Sequence, residues 1–123
     1  VVSVKFLLLF FLLHFLGDWL FQPREIATKK SSDPLALRHH MSTYGMFMLC
    51  IGFVMPPMPA LGWWLTNMVA HSIQDWYLYQ IFPKVLWWDN GNRAVNSRIL
   101  VTIGLDQFIH YSVAVITYAV FMH

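Results

Sequence analysis

The residues best suited to chemistry come in pairs. His14 precedes Asp18, His71 precedes Asp75 and Asp106 precedes His110, each by four positions. Residues i and i+4 lie on one face of an α-helix with Cβ atoms about 6 Å apart, so both members of a pair can address the same ion or the same proton. Neutral imidazole and carboxylate are ligands for zinc, manganese or iron, and the i, i+4 arrangement is that of a helical zinc motif. With His40 added, the candidate metal ligands are His14, Asp18, His40, His71, Asp75, Asp106 and His110. They suffice for one ion with outer partners, or for two ions that share carboxylates. The same set also fits a metal-free path for protons or ions, and a hydrogen-bond network that only fixes packing.

The chain around these pairs is strongly apolar. Of its 123 residues 58% are hydrophobic and only 11% are charged, with a mean hydropathy of +0.53. A soluble domain carries about 25% charged residues, so the composition predicts a membrane protein, and the length predicts a single domain over 1–123. An Asp at the centre of a spanning helix costs roughly 2.5 to 3.5 kcal/mol, so three of them cost on the order of 8 to 10 kcal/mol if left unpaired. Half of the six acidic residues are of this kind, and cations, His-Asp hydrogen bonds or a water-filled cavity must offset that cost. A net charge of +2, with the basic residues confined mainly to two short loops, excludes nucleic acid as a partner. The lone Cys50, in an apolar run, excludes a disulfide framework and a Cys-based metal motif.

The elements that must position the pairs follow from the prolines, which all fall between apolar segments. Four helices are expected, at about 4–22, 34–55, 60–82 and 98–122, forming an all-α antiparallel bundle that crosses the membrane four times. Pro23 closes the first, which at 19 residues is long enough to cross about 30 Å of hydrocarbon. Its apolar run from Phe6 to Phe15 resembles a signal peptide, but Gly17-Asp18-Trp19 follows instead of a small-residue cleavage site, so a retained helix is expected. Asp33-Pro34 reads as the cap and first residue of the second helix. Pro56-Pro57-Met58-Pro59 is a tight turn, and Trp63-Trp64 and Trp87-Trp88 read as aromatic belts at opposite interfaces. Asp89-Asn90-Gly91-Asn92 is a turn by composition, with Asn96 or Ser97 capping the last helix. Seven of the eight Lys and Arg lie in or beside the first and third loops. The positive-inside rule then makes those loops cytoplasmic in a bacterial inner membrane, puts both termini outside, and sets Asp18, His40, Asp75 and Asp106 in the cytoplasmic half.

Further polar residues extend the same faces. Asn67, His71, Asp75 and Tyr79 recur every fourth residue, Gln22 continues the His14 and Asp18 face, and Tyr44 continues that of His40. These residues and Gln107 are expected as outer partners or substrate contacts, while Arg24, Arg38 and Arg98 near the cytoplasmic mouth would hold an anionic head group. The stretch His14-Phe15-Leu16-Gly17-Asp18-Trp19-Leu20-Phe21-Gln22, His40 with Tyr44, His71 with Asp75, and Asp106-Gln107-Phe108-Ile109-His110 together span nearly the whole chain. In them the sequence resembles a family of small bacterial and phage membrane proteins grouped as domain of unknown function 3307. The resemblance implies a four-helix membrane fold and no established activity. Where that family usually carries a Lys shortly after the third-helix Asp, this chain has Tyr77 and Tyr79, with Lys84 further on. More distantly the pattern resembles membrane-bound metal-dependent hydrolases, which is an analogy of pattern only.

Three functions are compatible with this reading. The first is a hydrolase of a phosphoester or anionic, lipid-like substrate, with one or two zinc, manganese or iron ions and with Asp75 or Asp106 as the catalytic carboxylate. The second is a small homo-oligomeric channel or transporter that passes protons or metal ions along the His/Asp chain. The third is a non-enzymatic membrane protein that binds a partner. All three share one topology, which cysteine labelling in a Cys50→Ser background tests. Residues 29 and 93 should be labelled from the cytoplasm and residue 57 from outside, and labelling of residue 29 from outside would reverse the orientation.

Overall fold

A computed structural model describes residues 1–81 and 97–123, with the side chains of residues 79, 81 and 97–102 outside that description. Every regular element among the described residues is helical, so the chain is all-α. Helix α1 spans Val4–His14 and runs into a π-helical turn, Phe15–Leu20. A short helix α2, Arg24–Lys29, lies in the first loop. Helix α3 spans Pro34–Leu49 and tightens into a 3-10 turn, Cys50–Phe53; α4 spans Pro57–Ile81 and α5 spans Ser97–Phe121. Pro83, Trp87, Trp88, the Asp89 to Asn92 turn, Arg93 and Asn96 lie outside the described residues.

The helix ends follow local rules. Asp33 Oδ1 accepts from Leu35 N at 2.9 Å, and Pro34 follows as the first helical residue, where its missing N–H costs no bond. Helix α4 begins at Pro57 rather than near residue 60, because Pro57 and Pro59 both fall in the first turn, where amide protons have no intrahelical partner. The first segment departs most from expectation. Instead of one α-helix to residue 22, it opens after His14 into i to i+5 bonding, with Phe21 N on Leu16 O at 2.9 Å. Here Gly17 lies against α3 so closely that a Cβ would come 3.2 Å from Tyr44 Cα. The wider turn keeps Asp18 on the buried side below His14 while the backbone makes that approach.

Helix α4 packs against both α3 and α5, and the π turn and α1 pack on α3. The core at one end is aromatic. Phe6 lies 4.0 Å from Tyr118 and meets Trp63 edge to face at 5.5 Å, ring centre to ring centre. Trp63 is fully buried and donates from Nε1 to Ala114 O at 2.9 Å, while half-buried Trp64 donates to Gly45 O at 3.0 Å. The expected surface belt at Trp63 is therefore a core anchor. An indole N–H away from water needs an acceptor, and the facing helix supplies a carbonyl lone pair.

The outer faces are apolar. Along α4, Leu61, Leu65, Val69, Ile73 and Tyr77 are exposed, whereas Asn67, His71 and Asp75 on the opposite face are buried. Among the described residues one stretch, Ile103–Phe121, is long and apolar enough by length and composition to cross a membrane. Trp63→Ala should cost about 3 to 5 kcal/mol, the range for a large buried aromatic. Leu65→Ala on the exposed face should stay within about 0.5 kcal/mol. Reversible unfolding in detergent measures both, and equal losses would contradict the assigned core.

Candidate metal centre

Three elements bring four residues to one buried point. The π turn brings Asp18, α3 brings His40, and α4 brings His71 and Asp75, all buried. His40 Nε2 lies 3.0 Å from His71 Nε2, 3.0 Å from Asp75 Oδ2 and 3.2 Å from Asp18 Oδ1. His71 Nε2 lies 3.1 Å from Asp75 Oδ2 and 3.8 Å from Asp18 Oδ1. These are five of the six edges of a tetrahedron of donor atoms. A zinc-type site with bonds of about 2.0 to 2.1 Å spaces its donors about 3.3 to 3.4 Å apart.

Hydrogen bonding alone accounts poorly for this geometry. One ring proton on His40 Nε2 would have to serve three acceptors at once. Three nitrogens, from Lys30, His40 and His71, approach Asp75 Oδ2 at 3.0 to 3.1 Å, yet without hydrogen-bond alignment. Two imidazole lone pairs and two carboxylates facing one another are satisfied by a shared cation. Asp18, His40, His71 and Asp75 fit a metal ion by donor chemistry, burial and spacing.

A second group shares Asp75. Asp75, Asp106 and His110 offer one donor atom each within 4.8 Å of one another, and all three are buried. Asp106 accepts from Gln74 Nε2 at 3.0 Å and from Gln107 Nε2 at 3.2 Å, on its two oxygens. His14, counted among the ligands by spacing, lies in neither group. Its Nε2 meets Gln107 Oε1 at 2.8 Å, and its Nδ1 meets the Tyr44 hydroxyl at 3.2 Å. The Gln107 oxygen can only accept, so the ring proton sits on Nε2 and Tyr44 donates to Nδ1. Tyr44 also stacks on His71 at 3.9 Å, which orients that ring.

Other expected contacts lie elsewhere. Asn67 donates to Trp63 O and to Thr117 Oγ1, both at 2.8 Å, a packing role one turn from His71. Gln22 is half-buried and in neither group. Arg24 and Arg38 are exposed, and Arg38 borders an open apolar groove of about 480 Å³ between α3 and α4, with Leu37, Met41, Ile73 and Trp76. The side chains of Tyr79 and Arg98 lie outside the described residues.

Two residues that sequence reasoning passed over reach the centre. Gln74 does so from α4, and Lys30 from the first loop, where it is only 5% exposed. Lys30 Nζ lies 3.2 Å from Asp18 Oδ1 and 3.0 Å from Asp75 Oδ2, the same two oxygens that complete the tetrahedron. Its loop is tied to α4 by Gln80 Nε2 donating to Ser31 O at 2.9 Å. Burial pushes the Lys30 ammonium down, but the carboxylates of Asp75 and Asp18 outweigh it and hold it above the usual lysine range. No periodicity marks Lys30, since a loop residue has no helical face; the signal available was an unpaired charge three residues before the Asp33 cap.

The family model described as "Protein of unknown function (DUF3307)" matches residues 6–123, nearly the whole chain. The chain belongs to the DUF3307 family. No curated protein and no solved structure matches it. The matched span contains every member of both donor groups, and Lys30.

Lys30→Met leaves two buried carboxylates without their ammonium and should cost about 3 to 5 kcal/mol in metal-free protein, the range for breaking a buried pair. A group with a raised folded-state pKa stabilises fully below its unfolded value, here 10.5, and loses that effect as pH rises through the folded one. The difference between wild type and Lys30→Met should therefore stay level from pH 8 to 10 in chemical unfolding. A difference that disappears across that interval would mean that Lys30 is not held as a charged group.

Proposed function

We propose that this protein is a multi-pass inner-membrane metalloprotein that binds one transition-metal ion, best matched by zinc, and hydrolyses a phosphoester or lipid-like substrate. The observation that carries the metal reading is the spacing of His40 Nε2, His71 Nε2, Asp18 Oδ1 and Asp75 Oδ2. Charge favours one ion in this centre. Asp18, Asp75 and Asp106 bring three negative charges and Lys30 one positive, so with neutral imidazoles one divalent cation balances the cluster.

The membrane reading rests on inversion of the usual pattern. Helix α4 turns Leu61, Leu65, Val69, Ile73 and Tyr77 outward and His71 and Asp75 inward, as expected where the solvent is hydrocarbon. Together with the basic first and third loops, this supports four crossings with the centre in the cytoplasmic half.

A bound ion would acidify water and polarise an ester oxygen. The protein's own groups fit the rest of a hydrolytic site. Among the four donors Asp18 stands furthest from His71, at 3.8 Å, so its carboxylate is the one best placed to yield a position. Asp106, steadied by Gln74 and Gln107, is the nearby carboxylate able to hold the attacking water. The groove beside Arg38 lies between the same two helices that carry His40, His71 and Asp75, which suits an anionic head group with an apolar tail.

Elemental analysis of detergent-purified protein should find one tightly held zinc per chain. Asp75→Asn keeps the shape of the side chain and removes its charge, and it should weaken binding at least 10-fold, the scale of even an outer-partner loss. Full-length, folded protein that neither retains nor takes up zinc would end the metal reading.

A further inference from the structure

Asp75 is used on one side only. Its Oδ2 faces Lys30, His40 and His71 at 3.0 to 3.1 Å without an aligned hydrogen bond, and Oδ1, also buried, has neither an ion pair nor a hydrogen bond among the described residues. A carboxylate oxygen buried without a donor is costly, and the cost disappears if a cation or a cation-bound water stands beside it.

His110 shows the same asymmetry. Its Nδ1 is surrounded, with Asp106 O at 2.9 Å, Asp106 Oδ1 at 3.4 Å and the Gln74 amide at 2.6 Å. Its Nε2 is buried with no hydrogen-bond partner among the described residues. A ring proton on Nδ1, given to the Asp106 carbonyl, leaves Nε2 with a bare lone pair; the Gln74 nitrogen beside Nδ1 then directs its own two protons to Asp106 O and Oδ1, at 2.7 and 3.0 Å. Beside His110, on a side that Asp75 and Asp106 do not border, a cavity of about 10 Å³ lies among Tyr44, Asn67, His71, Gln74 and Val113, close to the smallest space that holds one water.

We propose that Asp75, Asp106 and His110 form a second divalent-cation site, with Asp75 bridging it to the tetrad. The inference rests on the reading of the tetrad as a metal site and extends it to a two-ion centre. Donor chemistry separates the two positions. The tetrad offers two nitrogens and two oxygens, which suits zinc, whereas the second site offers two carboxylates and one imidazole, an oxygen-rich set that suits manganese(II), iron(II) or magnesium. Charge sets the order of filling. An ion in the tetrad neutralises the cluster, so the second ion enters a neutral centre and binds more weakly.

The test is a manganese(II) titration of the full-length, zinc-loaded protein in detergent, with free manganese followed by electron paramagnetic resonance and zinc by elemental analysis. Wild type should take up one manganese per chain while keeping its zinc. Asp106→Asn and His110→Gln should each weaken manganese binding at least 10-fold and leave zinc content unchanged. Retained zinc with no manganese uptake, or uptake that neither variant alters, overturns the second site and leaves the tetrad standing. Wild type without zinc overturns the tetrad instead. If Asp106→Asn does not fold, His110→Gln decides alone; a folded variant that loses its zinc shows that the residue serves the first ion, and overturns a separate site.

Discussion

Three carboxylates buried among helices need positive charge or directed donors close by, and the arrangement of the chain follows from that requirement. Asp18, Asp75 and Asp106 are each at most 5% exposed. The ammonium of Lys30, the imidazoles of His40, His71 and His110, and the amides of Gln74 and Gln107 converge on them from α3, α4, α5 and the first loop. Each helix is held to its neighbours by apolar packing at one end and by this polar cluster further along. The cluster is costly when incomplete, so it also selects one relative register of the helices among those that apolar packing alone would allow.

That selection is visible in the irregular elements. The π turn at Phe15–Leu20 is a departure from α geometry where Gly17 presses on Tyr44 and Asp18 enters the cluster. Wide turns of this kind often mark functional positions, because they re-aim a side chain without ending the helix. The first loop is likewise ordered by the site, since Lys30 reaches inward and Ser31 is held by Gln80. Both irregularities make sense as consequences of gathering charge at one point, and neither is needed to pack Phe6, Phe10 and Trp63.

The two donor groups also divide the work of the surrounding residues. Tyr44 links them to His14 by a hydrogen bond and to His71 by stacking, and Gln107 touches His14, Asp18 and Asp106. His14, which lies in neither donor group, is bonded to Gln107 and Tyr44 and stands 3.5 Å from Asp18 Oδ2, a placement that would fix ring and amide orientations. In the two-ion reading these supports would hold the bridging region at one spacing, which is the property a shared carboxylate requires.

The sequence by itself determined what is local. The Asp33-Pro34 signal set the start of the helix from residue 34, and i, i+4 spacing put Asp75 beneath His71 and His110 beneath Asp106, because helical geometry fixes neighbours one turn apart. The tertiary structure decided which pairs meet. Spacing could not separate His14 from His40, since each is a buried helical imidazole near Asp18; helix rotation turned one toward Gln107, Tyr44 and Asp18 Oδ2 and the other toward His71, Asp75 and Asp18 Oδ1. Nor could it find Lys30, whose approach depends on the path of a loop, or bury Trp63, whose acceptor lies 51 residues away on α5. Contacts between elements depend on packing over long sequence separations, and no local pattern records them.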